Sequence, residues 1–214
     1  MLQKVLWSVF AALMAGSALA GELREFNESS FSALANGKSA ILIQINWGRS
    51  WGCGGFENAQ LQKLHFKQIT NDSEGKAIRT LKLETPSRLF VDNKFLPYAY
   101  VIDEGKYALS KIDIKVAKSA TDIGHLVADE THLFKDGEPV GGTFNVKAGE
   151  IVYLGHFGLD CMQQPMLWRY YIEGRSEFER YTAGFHKKFE FAKPVPVKYR
   201  LFSTNIFGQA YSID

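Results

Sequence analysis

Apolar residues recur with a period of two along most of the chain beyond residue 39, the spacing of half-buried strands. Residues 40–46 (AILIQIN) are rich in Ile and predict the first strong strand. Residues 61–69 and 76–83 alternate on either side of an Asn-Asp-Ser-Glu-Gly turn, and shorter strands are expected at 88–91 and 98–102. Glu104-Gly105 marks a turn into residues 106–116 (KYALSKIDIKV), which alternate over most of their length. Residues 131–134 lead into Asp136-Gly137, a hairpin signal. Strands at 142–146 and 150–154 flank the turn Lys147-Ala148-Gly149, and 167–172 and 197–202 supply the last two.

Two segments break this rhythm. Residues 21–38 are polar, with a short helix capped by Ser29 or Ser30. At 176–185 the spacing of Phe178, Tyr181 and Phe185 is helical, and Ser176 is the expected N-cap. About nine or ten strands with one or two short helices predict an all-β fold, an antiparallel two-sheet β-sandwich.

The amino terminus is of another kind. Lys4 precedes an apolar run from Val5 to Met14, and Ala18-Leu19-Ala20 fits the small-x-small pattern cut by a signal peptidase. Residues 1–20 are therefore expected to be a cleaved export signal, too short for a membrane span. Residues 21–214 are expected to form a single β-sandwich domain with a C-terminal elaboration from about 162 to 214. No second apolar span follows, so the product is expected to be soluble, in the periplasm or secreted. With 25 Lys and Arg against 23 Asp and Glu, the charge gives no general field for nucleic acid. Cys53 and Cys161, the only cysteines, are expected to pair in an oxidising compartment.

The central stretch carries a family resemblance. Residues 98–110 (YAYVIDEGKYALS) and 142–155 (GTFNVKAGEIVYLG) resemble bacterial envelope domains of the transthyretin-like and carboxypeptidase-regulatory-like sandwich type. Those carry a strand, a Pro-Gly-x-Tyr turn and a strand, then an Ala-Gly-Glu turn before an aromatic-bearing strand. Here Glu104 stands where the family usually has Pro. The resemblance implies a transthyretin-like or immunoglobulin-like sandwich with an accessory or binding role, and it transfers no catalytic residue. Tyr107 and Leu109 should share one strand face, as should Ile151 and Tyr153.

Candidate chemistry is sparse. Cys53, between glycines, would be a nucleophile only if free and beside one of His65, His125, His132, His156 or His186. His156, Cys161, Met162 and Met166 have copper-ligand chemistry, but no His falls between Cys161 and Met166, and a disulfide removes the thiolate. Asp129, Glu130 and His132 would assemble only on a turn or helical arc; a solvated strand edge is the simpler expectation. Residues 47–56 (WGRSWGCGGF), expected to be a Gly-rich loop, hold Trp47, Arg49 and Trp51, groups that anchor a protein partner or stack on a sugar if exposed; the alternative is that both tryptophans fold inward and plug one end of the sandwich. These observations predict a non-catalytic binding or envelope-accessory protein, with no cofactor and no metal, whose partner is an envelope protein or a glycan. The competing class is a secreted hydrolase or a copper-type metal-binding protein using His156 or the Glu130/His132 pair.

Overall fold

The computed structural model describes residues 24–69, 79–86 and 91–213. The expected export signal, the turn at 71–75 and residues 88–90 of an expected strand lie outside these. The described chain begins with β1 (Arg24–Glu25), α1 (Glu28–Phe31), β2 (Lys38–Asn46), β3 (Arg49–Cys53), β4 (Phe56–Ile69) and β5 (Thr80–Glu84). It continues through β6 (Phe95–Asp103), β7 (Gly105–Ala117), β8 (Ile123–Ala128), α2 (Glu130–Leu133), β9 (Phe134–Lys135) and β10 (Glu138–Pro139). β11 (Thr143–Val146), β12 (Ile151–Asp160), β13 (Met166–Tyr170), α3 (Arg175–Lys188) and β14 (Val197–Tyr199) complete it.

The molecule is mainly β, in two large sheets. The first has the order β1-β6-β2-β12-β13, with β14 also on β12; the second has β11-β7-β4-β3, with β5 on β4 and β8 on β7. Their facing sides make one core. Ile41, Ile43 and Ile45 of β2 and Val152, Leu154 and Phe157 of β12 meet Leu61, Leu64 and Phe66 of β4 and Tyr107 and Leu109 of β7. Each of these side chains is essentially excluded from water, and at about 25 cal/mol per Å² their burial is the main force holding the sheets together.

The first sheet is covered on its other side too. Ala40 and Leu42 of β2, Val101 of β6, and Ile151 and Tyr153 of β12 face away from the second sheet and pack against Phe26, Ala192 and Phe178 of α3. Burial on both faces is why 40–46 is almost continuously apolar. Tyr107 and Leu109 do share a face, in the inter-sheet core, and Ile151 and Tyr153 share the face beneath α3.

The two turns quoted in the resemblance carry the chain from one sheet to the other. Glu104 separates β6 of the first sheet from β7 of the second, and residues 147–150 separate β11 of the second from β12 of the first. Returning from the second sheet, β12 enters alongside β2 and runs parallel to it, and β14 is parallel to β12 as well. The first sheet is thus mixed, not wholly antiparallel as expected. A parallel neighbour needs a long crossover, which the second sheet provides for β2/β12 and α3 for β12/β14.

Other local expectations are corrected. The glycine-rich segment is a hairpin, with β3 paired to β4 (Trp51↔Asn58, Cys53↔Phe56), and only Gly54 and Gly55 form its turn. Both have positive φ (57° and 83°), as a type I′ turn requires. A Cβ on Gly54 would lie 2.4 Å from Gln164 Cα, so the turn closes directly onto the loop after β12. Asn27, not Ser29 or Ser30, caps α1, with Ser30 completing a reciprocal capping box. Helix α3 starts at Arg175, one residue before the expected cap Ser176, and its N-cap is Gly174, which offers no side-chain cap. The hairpin at Asp136-Gly137 forms between β9 and β10.

Candidate functional site

Cys53 and Cys161 form the expected disulfide, across 108 residues of sequence. It joins the end of β3 in the second sheet to the residue after β12 in the first. With both sulfurs bonded, neither a Cys53 nucleophile nor a Cys161 copper thiolate exists.

The aromatic candidates part company at this end of the molecule. Trp47 is 1% exposed and belongs to the inter-sheet core; its indole N–H donates to Tyr98 Oη at 2.9 Å, and its carbonyl accepts from Gln60 Nε2 at 2.7 Å. Trp51 is 65% exposed, and the Arg49 guanidinium lies 5.4 Å from its ring centre. Met162, beside the disulfide, is 90% exposed. The structure therefore leaves Arg49 and Trp51 at the surface and takes Trp47 out of reach.

The polar candidates resolve into local structure. Asp129 caps α2, accepting from Thr131 N at 3.0 Å, and its Oδ1 lies 3.0 Å from His132 Nδ1, so the helical arc does assemble this pair. Hydrogen bonds from Thr131 and His132 hold the Asp129 carboxyl down at about 2. Glu130 instead pairs with Lys67 at 2.7 Å. His125 Nδ1 sits 2.6 Å from Asp113 Oδ1, and His65 lies 3.3 Å from Glu84. His156 is enclosed between Phe95 and Tyr153, and burial depresses its pKa to about 4. Its Nε2 has no hydrogen-bond partner among the described residues. Among the described residues no three His, Cys, Asp or Glu side chains are grouped to hold a metal ion.

A sizeable concavity lies elsewhere, between α3 and the outer face of the first sheet. It has a volume of about 640 Å³, within the range of small-molecule sites. Its floor is Leu42 and Gln44 of β2 with Pro97 and Ala99 of β6. Small residues fall on this side of β6 because Tyr98 and Tyr100, stacked at 5.8 Å, alternate to the other side and pack on the inter-sheet core. Tyr181 and Phe185 of α3 form the wall, and Phe26 and Phe189 close one end, their rings 5.4 Å apart. Tyr181 is hydrogen-bonded to Gln44, and burial raises its phenol to about 12, so it stays protonated at neutral pH. The charged side chains on the lining are Arg180 and Lys188 of α3 and Glu25 of β1.

Sequence reasoning found α3 and its aromatic stripe but not the cleft beneath it. The signal was there in Gly184, an interior helix position that costs up to about 1 kcal/mol relative to Ala. Gly184 lines the cleft, and a Cβ there would meet nothing within 4 Å.

Among the described residues no helix is long and apolar enough to cross a membrane. No family model matches this chain, and neither a curated protein nor a solved structure is significantly similar to it.

Proposed function

We propose that this protein is an exported, non-catalytic binding protein that takes a small apolar ligand in the cleft between α3 and the first sheet. The observation that carries the reading is the cleft itself: about 640 Å³, walled by aromatic rings, with a hydrogen bond between Tyr181 and Gln44 inside it. A hydrolase would need convergent groups tuned for proton transfer near neutral pH. Tyr181, half-buried against the floor of this cleft, is a phenol raised to about 12, away from that range. The disulfide favours an oxidising compartment and so the export reading. A transthyretin-like or immunoglobulin-like sandwich is the nearest description of two sheets on one core, with the mixed first sheet and its helical cover as departures.

The test uses N-phenyl-1-naphthylamine, a neutral dye that fluoresces in apolar surroundings. Wild type should bind it saturably, and Gly184→Trp, which fills the cleft from a position with free space, should lose binding while keeping its far-UV circular dichroism. Absent binding in wild type, or undiminished binding in a folded Gly184→Trp, overturns the proposal.

A second reading rests on Trp51. An indole two-thirds exposed beside a guanidinium is the composition of a partner-anchoring surface, and the partner would be an envelope protein or a glycan. Trp51→Ala should leave the denaturation midpoint unchanged yet abolish retention of an envelope extract or a glycan array signal. Unchanged retention removes this reading.

A further inference from the structure

The cleft has a polarity that its volume alone does not reveal. Arg180, Gly184 and Lys188 occur at intervals of four along α3, so they form one stripe on the helix face, one turn apart. At 1.5 Å per residue the two cations are rooted about 12 Å apart, with the residue that has no side chain between them. Behind this stripe, toward the sheet, the lining is Tyr181, Phe185, Leu42, Ala99 and Phe26. A ligand must therefore be apolar where it meets the floor and can be anionic where it meets the helix rim. Neither cation is locked in place. Arg180 pairs with Glu177 at 2.8 Å on the exposed side of the helix, a kind of bond worth little in water, and the Lys188 ammonium rests 5.1 Å from the Phe189 ring centre. Both are free to turn to an incoming charge. Glu25 is the one carboxylate of the lining, on β1, whereas both cations belong to α3.

We propose that the cleft is specific for a single-chain amphiphile with a carboxylate head, a fatty-acid-like molecule. Its chain lies on the floor of β2 and β6, and its head sits over Gly184 between Arg180 and Lys188. The inference rests on the binding reading above and adds the charge and placement of the head.

The experiment is displacement of N-phenyl-1-naphthylamine by decanoate, decan-1-ol and decylamine, equal in chain length and different only in head group. Decanoate should displace the dye at least threefold better than decan-1-ol, and decylamine worse than either. In Arg180→Gln/Lys188→Gln the decanoate advantage should vanish while decan-1-ol is unaffected, and 1 M NaCl should shrink it in wild type. Equal displacement by decanoate and decan-1-ol, or an advantage that survives the double substitution, overturns the proposal while leaving the apolar cleft intact. A dye that never binds wild type overturns the binding reading instead.

Discussion

His156 shows how one residue can set the response of the whole fold to acid. It sits on the face of β12 opposite Phe157, between aromatic rings, and burial holds its pKa near 4, below the ordinary histidine value of about 6.5. The unfolded chain takes up a proton at about 6.5 and the folded chain does not until about 4. The contribution of His156 to stability is therefore full above pH 6.5 and is lost as pH drops through this interval, by up to about 3 kcal/mol over its length. His156→Phe should flatten the dependence of unfolding free energy on pH between 6.5 and 4.5, measured by urea denaturation; parallel curves would show that the imidazole is not held neutral. A second loss begins lower. Glu150 is held at about 2 by bonds from Arg200, with Lys198 adding to it against the cost of burial, so its contribution goes as pH falls from 4.5 toward 2. Neither behaviour was legible in the sequence, because a lone histidine or glutamate carries no mark of what will surround it. The tryptophans make the same point. Trp47 and Trp51 are four apart and chemically identical, and only the place where β2 ends and the hairpin begins puts one in the core and the other in water.

Among elements, legibility tracked burial. β2, β7 and the first half of β12 were evident because packed faces impose a regular apolar pattern; the second half of β12, beyond Leu154, was not expected as strand. β8 was not, since Ile123, Leu126 and Val127 are all substantially exposed on a sheet edge and no face of the strand demands a pattern. β3 was hidden by its own turn: the glycines of residues 52–55 suggested irregular chain, although only two of them form the reversal. The aromatic stripe of α3 was visible, but the cleft beneath it depends on small residues, Gly184, Ala99 and Pro97, arriving at the same place from different elements. Empty space is a property of pairs of elements, and a single sequence records only the halves.

At the scale of the molecule the disulfide matters most, because it ties the two sheets at one end where β3 and β12 finish. Cys53→Ala/Cys161→Ala frees a closed loop spanning 108 residues. In the chain-entropy limit this should cost about 4–5 kcal/mol. Urea denaturation of the double variant, against wild type with and without reductant, measures it; a difference below about 1 kcal/mol would mean that the core alone sets the sheet pairing. The cysteine pairing was legible because only one pairing exists. That it would bridge two sheets was not, since nothing in the spacing of two residues says on which sheet each will lie.

The adjacency of β2 and β12 also dictates an order of assembly. These strands lie side by side at the centre of the first sheet, yet the entire second sheet is threaded between them in the chain. No fragment stopping before Ile151 can shelter the strand that begins at Lys38, and such a fragment would offer a long apolar ribbon to its neighbours. Completion of the first sheet must therefore await the C-terminal third of the chain, through a long-range pairing of the kind that is slow to form.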